Sequence, residues 1–213
     1  MTENQLREYV ALLGKSLYDR GLAHGSAGNI SVKLADGWLM TPTNSCLGRL
    51  DPARLSRLDA GGQWLAGDKP SKETFLHLCM YRERANCGAV VHLHSVHAVA
   101  VSCLDVPGGL DAANVLPPIT AYAVMQVGEL ALVPYYPPGD ESLAEAVRKV
   151  AGRHHAVLLA NHGPVVAGSS LDAAVNAIEE LEQTAKLLLL LRGERTRYLT
   201  PAQVAELNRR FVS

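Results

Sequence analysis

Gly88-Ala89-Val90-Val91-His92-Leu93-His94-Ser95 is the stretch on which the fold turns. Small and β-branched apolar residues after a glycine read as a strand buried on both faces, over 88–93. Residues 95–103 then read as a helix. Along a strand, side chains two apart point to one face, so His92 and His94 present both imidazoles to one point. Neutral imidazole suits zinc and other first-row metals. Alone, the pair fits equally well one surface histidine beside a core histidine bonded to backbone.

Neighbouring segments add to the pair. Upstream, Ser71 is a candidate cap for a helix reaching about Arg84, with Glu73 in its first turn. The helix dipole favours a carboxylate there, and a solvated first-turn acid would read the same way. Downstream, residues 156–160 form a second apolar run and are followed by Asn161-His162-Gly163. His162 therefore stands at a strand end, where sites are commonly assembled. Three histidines and one carboxylate in these contexts make an open catalytic zinc set.

Further out, Thr2 and Gln5 fit a capping box, and Leu6, Val10, Leu13 and Leu17 recur at helical spacing up to a stop at Gly21. The loop Gly25-Ser26-Ala27-Gly28-Asn29 leads into strands over 30–34 and 38–41, joined by an Asp36-Gly37 turn. A second hairpin is expected around Gly61-Gly62, between 55–59 and 63–65. Prolines at 117–118 and 134–138 mark loops and edge strands. Helices are expected after Asp140 to about Gly152, over 171–192, and from Thr200-Pro201 onward. The pattern predicts one α/β domain over 1–213, with a mixed or antiparallel sheet.

Bulk properties narrow the function. A net charge of -1 over 213 residues leaves no electrostatic footprint for nucleic acid or an anionic membrane. The N-terminus has no basic segment leading into an apolar one, and the longest aliphatic run, 187–191, cannot span a bilayer. Cys46, Cys79, Cys87 and Cys103 lack metal-site spacing and are expected to be reduced, mostly buried thiols of a cytoplasmic protein.

Other histidines have humbler expectations. His24 precedes the glycine-rich loop, His77 lies one turn after Glu73 as a packing or supporting residue, and His97 could orient a ligand. His154 and His155 are expected to be exposed at a helix end and form the reserve for a third ligand. Gly28-Asn29, Thr43-Asn44 and Ser71-Lys72 lie in loops of small polar residues. Free backbone amides, hydroxyls and one ammonium suit a phosphate monoester, although ordinary turns use the same residues.

Taken together, Gly28-Asn29-Ile30-Ser31, Thr41-Pro42-Thr43, Ser71-Lys72-Glu73, His92-Leu93-His94-Ser95 and Asn161-His162-Gly163 resemble the class II aldolase/adducin family. The resemblance implies a three-layer α/β/α fold with a central, mainly antiparallel sheet, often assembled as a homotetramer with sites between subunits. It implies zinc on His92, His94 and His162, with manganese or cobalt as substitutes. Glu73 would be a displaceable fourth ligand and then the acid/base. Gly28, Asn29, Thr43, Asn44, Ser71 and Lys72 would form the phosphate pocket.

Asn44 and Lys72 stand where many family aldolases carry glycine and serine. The segments 70–73, 116–118, 124–128 and 134–140 are similar to the 3-oxo-tetronate 4-phosphate decarboxylase branch. That branch implies a phosphorylated sugar-acid substrate, losing carbon dioxide through a zinc-stabilised enediolate to give dihydroxyacetone phosphate. The aldolase alternative needs an acid near the departing alkoxide, for which Tyr122, Tyr135 and Tyr136 are candidates, with Tyr122 preferred. Packing would explain each tyrosine equally. The family also holds non-catalytic adducin heads, but here every ligand position is filled.

Overall fold

Residues 1–105, 112–137 and 139–211 are described by a computed structural model of the chain. Pro138, part of the proline-rich stretch, lies outside them. In chain order the helices are α1 (Glu3–Asp19), α2 (Thr74–Glu83), α3 (Val96–Ser102), α4 (Ala121–Gln126), α5 (Ser142–Ala151), α6 (Leu171–Leu190) and α7 (Pro201–Phe211). The strands are β1 (Asn29–Leu34), β2 (Gly37–Met40), β3 (Ser56–Asp59), β4 (Trp64–Ala66), β5 (Ala89–His92), β6 (Ala131–Val133), β7 (Ala156–Leu159) and β8 (Gly163–Gly168).

Among the described residues, eight strands join one sheet in the order β4-β3-β2-β1-β5-β8-β7-β6. The pairings are antiparallel except for β6 with β7, so the sheet is mixed but mainly antiparallel. Strand alternation builds three layers. Ala89 and Val91 of β5 face one core with Val10 and Leu17 of α1, Ala98 of α3 and Ile178 of α6. Val90 faces the opposite core, with Met80 of α2 and Val147 of α5. Burying a leucine such as Leu17 completely contributes roughly 2 kcal/mol, and each face has several such side chains.

Several elements depart from the sequence expectation. The capping box at Thr2 and Gln5 is present, with both reciprocal bonds made. Ser71, however, does not cap α2. The helix starts at Thr74 with Glu73 as its N-cap, and the Ser71 hydroxyl instead accepts from the Glu73 amide at 3.2 Å. Strand β8 and the short α4 have no counterpart in the expectation. β8 begins with Gly163-Pro164, which reads as loop, yet its apolar run sits between β5 and β7. His154 and His155 are not exposed. His154 is buried with Nδ1 2.9 Å from the Glu129 carbonyl, and His155 is half-buried at 3.1 Å from that of Ala167. A carbonyl just before β6 and one within β8 recruit the two rings.

Candidate active site

The site forms where the central strand ends. His92, the last residue of β5, is paired with Asn29 of β1 on one side and Val165 of β8 on the other. Its ring is wholly buried, with Nδ1 2.8 Å from the Pro164 carbonyl oxygen. A carbonyl only accepts, so Nδ1 carries the proton and Nε2 keeps a free lone pair. The chain stays extended past the strand end, and the Leu93 amide donates to the same carbonyl at 3.3 Å. His94 follows, and its Nε2 lies 3.0 Å from that of His92.

What holds His94 from behind is the start of α3. Ser95 is the N-cap but makes no capping bond. Glu182 of α6 does that work instead, accepting from the His97 and Ala98 amides at 2.9 and 2.8 Å and contacting His97 Nδ1 at 2.7 Å. A buried carboxylate thus satisfies the helix terminus. His162 sits in the tight turn between β7 and β8, where Asn161 has φ 55°. At Gly163 a Cβ would collide with the Leu93 carbonyl, so only glycine lets the His162 turn close on the β5 end.

These paths converge. Centroids of the three imidazole rings are 4.8 to 4.9 Å apart, and their ligand atoms lie within 4.8 Å of one another. Glu73 reaches in from α2, with Oε1 3.2 Å from His162 Nε2 and Oε2 3.5 Å from His92 Nε2. Burial pushes the Glu73 carboxyl upward, but His92, His162 and Asn29 outweigh it and hold it well below the usual carboxylate range. Burial lowers His92, and it takes His94 down to about 3, with His92 and His162 adding to the effect. Three imidazoles gathered at one point beside a carboxylate oxygen form a donor set that fits a divalent cation.

Beside this cluster, two loops are zipped together. Pro42 and Pro70 form a β-bridge, the Thr43 amide donates to the Lys69 carbonyl at 2.9 Å, and the Ser71 amide donates to that of Thr41 at 3.2 Å. Thr43-Asn44 and Ser71-Lys72 are thereby brought side by side. Asn44 has φ 57°, a conformation asparagine tolerates better than most residues. Gly28 has φ 85°, and a Cβ there would meet the His92 carbonyl oxygen at 3.0 Å. Asn29, next in line, donates from Nδ2 to Glu73 Oε2 at 2.7 Å.

Thr43 and Asn44 also line a cavity of about 310 Å³ shared with Arg49, Arg54 and Asp68. Arg54 pairs with Asp68 at 2.6 Å. Arg49 and Lys72 are exposed and have no ion pair among the described residues. Nothing in the sequence marks Arg49 beyond its place just after the Thr43 loop. Gly28, Asn29, Ser71 and Lys72 do not line this cavity.

The tyrosines are not brought to the histidines. Tyr122 is 64% exposed on α4, which packs against α6 and α7, and its hydroxyl has no partner among the described residues. Tyr135 is exposed, while Tyr136 packs against the α2–α5 core. Among the cysteines, Cys79 and Cys87 are buried, Cys46 is half-buried and Cys103 is exposed, all unpaired.

The profile described as "Class II Aldolase and Adducin N-terminal domain" matches residues 8–189. The chain belongs to this family. It is 53% identical to the 3-oxo-tetronate 4-phosphate decarboxylase of Escherichia coli strain K12 over 206 residues, 96% of each chain. It is 36% identical to the L-fuculose phosphate aldolase of Methanocaldococcus jannaschii, covering 83% of this chain and 91% of that one. The crystal structure of YgbL from Escherichia coli superposes with a TM-score of 0.93 at 51% identity, covering 97% and 99% of the two chains. As a class II aldolase member the chain shares the three-layer fold, and no described helix is long and apolar enough to cross a membrane.

Proposed function

We propose that this protein is a metal-dependent carboxy-lyase that converts a 3-oxo-tetronate 4-phosphate to dihydroxyacetone phosphate and carbon dioxide. The observation that carries this reading is Glu73 set between His92 and His162, in a chain so similar to a 3-oxo-tetronate 4-phosphate decarboxylase. His92, His94 and His162 are the proposed metal ligands, with Glu73 as the fourth. The ion proposed is zinc, with manganese or cobalt as substitutes, and when bound it supplies a Lewis acid beside the substrate carbonyl.

The chain's own groups do the rest. The substrate is a β-keto acid, so breaking its bond to the carboxylate leaves an electron pair delocalised between C2 and the C3 carbonyl. A proton drawn from solvent and passed through Glu73 then reaches C2, giving dihydroxyacetone phosphate. Pro164 fixes the tautomer and direction of His92, so no reorganisation is needed there. Gly28, Asn29, Thr43, Asn44, Ser71 and Lys72 are proposed to hold the phosphate, joined by Arg49. Binding energy from that remote group fixes the reacting carbons.

The chain is proposed to act as a single domain in a homotetramer in the cytoplasm, within sugar-acid catabolism. Tyr122, far exposed on α4, has a catalytic part only if another subunit's site receives it.

A retro-aldol cleavage of a ketose 1-phosphate is the second reading, favoured by the similarity to the archaeal L-fuculose phosphate aldolase. Offering the zinc-loaded protein both substrates separates the two. Turnover of the tetronate alone supports the decarboxylase, whereas aldehyde release from the ketose moves the protein to the aldolases.

A further inference from the structure

A buried line of polar groups runs from the core of the molecule to Glu73. Glu73 Oε2 is 2.7 Å from Asn29 Nδ2, and Asn29 Oδ1 is 2.5 Å from His77 Nε2. His77 Nδ1 is 2.7 Å from Ser31 Oγ, which is 2.9 Å from the Tyr81 hydroxyl. Asn29 and Ser31 share a face of β1, while His77 and Tyr81 lie one turn apart on α2, so strand and helix periodicity set the line. Asn29, Ser31, His77 and Tyr81 are at most 6% exposed. No water can readily take the place of a missing partner there.

Donor chemistry gives the line one direction. A carboxylate accepts only, so Asn29 must turn its NH2 group to Glu73 and its carbonyl to His77. That carbonyl accepts only, so the His77 proton sits on Nε2. The ring's Nδ1 is then an acceptor for the Ser31 hydroxyl, whose oxygen accepts in turn from Tyr81. Reversing the Asn29 amide would set oxygen against oxygen at Glu73 and nitrogen against an N–H at His77.

We propose that His77 is a positioning residue for Glu73: donating from Nε2 to Asn29 Oδ1, it locks the amide so that Asn29 Nδ2 holds the Glu73 carboxylate in its working orientation. The proposal rests on the reading of Glu73 as metal ligand and acid/base. Its geometry does not depend on which lyase reaction the site performs. A buried His77 that only filled space would need neither a fixed tautomer nor a donor at Nε2.

The test uses the zinc-loaded full chain as wild type, His77→Gln and His77→Phe. Glutamine can place an N–H near the position of Nε2, whereas phenylalanine fills the space without donating. In wild type, long-range proton–nitrogen NMR should show His77 as the Nε2–H tautomer. His77→Phe should weaken zinc binding in a chelator competition and lower kcat, each by about 10- to 100-fold, with KM changed less than about threefold. His77→Gln should recover most of both losses. An Nδ1–H tautomer, or a glutamine variant that folds yet is as impaired as the phenylalanine one, overturns the proposal. If His77→Phe fails to fold, the tautomer and the glutamine variant still decide it. Wild type with the expected tautomer and zinc pattern but no turnover of the tetronate overturns the decarboxylase reading alone.

Discussion

Asn29 and His92 are direct cross-strand partners in the β1–β5 ladder. The register puts the residue before Asn29 against the backbone of His92, where a Cβ on Gly28 would lie 3.0 Å from the carbonyl oxygen. Gly28 also has φ 85°. Gly28→Ala is expected to cost about 1–3 kcal/mol of stability, because strain and crowding coincide. It should also weaken metal binding by displacing the β5 end. Denaturant midpoints and a zinc titration check both, and a variant matching wild type in each would separate Gly28 from the placement of His92.

Glu182 acts on the site from the far side of α3. Its carboxylate satisfies the His97 and Ala98 amides, three and four residues beyond His94, the last histidine of the HxH pair. Glu182→Ala should lose about 1–3 kcal/mol, the usual cost of leaving buried donors unpaired. It should lower zinc affinity as well, because α3 anchors the chain after His94. Unchanged affinity in a destabilised variant would show the cap to serve the fold only.

Arg49 and Lys72, exposed cations near the Thr43 loop with no ion pair among the described residues, predict a kinetic signature. Lys72→Ala and Arg49→Ala should each raise KM about tenfold and leave kcat within about threefold, as expected for contacts to a remote phosphate. If Lys72→Ala instead lowers kcat at constant KM, its ammonium faces the departing carboxylate.

Acid should destabilise the metal-free protein through His77. Burial, with His92 adding to it, lowers this ring from 6.5 to about 3. Between those values the unfolded chain takes up a proton that the folded chain refuses, so stability falls as the pH drops. By pH 5 the contribution amounts to about 2 kcal/mol relative to neutral pH. Comparing wild type with His77→Gln at pH 7 and pH 5 cancels the other titrating groups. Wild type should lose the larger share, and equal losses would contradict the assignment.

The strands that carry the site were legible because short-range rules specify them. The apolar runs before His92 and His162 became β5 and β7, both flanked by strands on each side. The runs themselves pointed only to one α/β domain with a mixed or antiparallel sheet, and the three-layer arrangement came from the family resemblance. β8 was hidden because proline and glycine at its start mimic a loop, while its place between two strands protects it. The role of Glu182 was not readable, because it depends on contacts across 84 to 85 residues of chain, over which local pattern carries no information. His77 was legible only as a packing or supporting residue one turn after Glu73, since its Asn29 partner lies 48 residues away. His154 and His155 were misread for a similar reason, since carbonyls of distant segments draw them inward.

The most direct test is a coupled assay of the zinc-loaded protein on 3-oxo-tetronate 4-phosphates, following carbon dioxide and dihydroxyacetone phosphate together. The account predicts equal release of both, abolished by chelation, restored by zinc and absent in His92→Ala. Carbon dioxide release that survives both chelation and loss of His92 would contradict the proposed metal centre, and no carbon dioxide from any stereoisomer would contradict the decarboxylase itself.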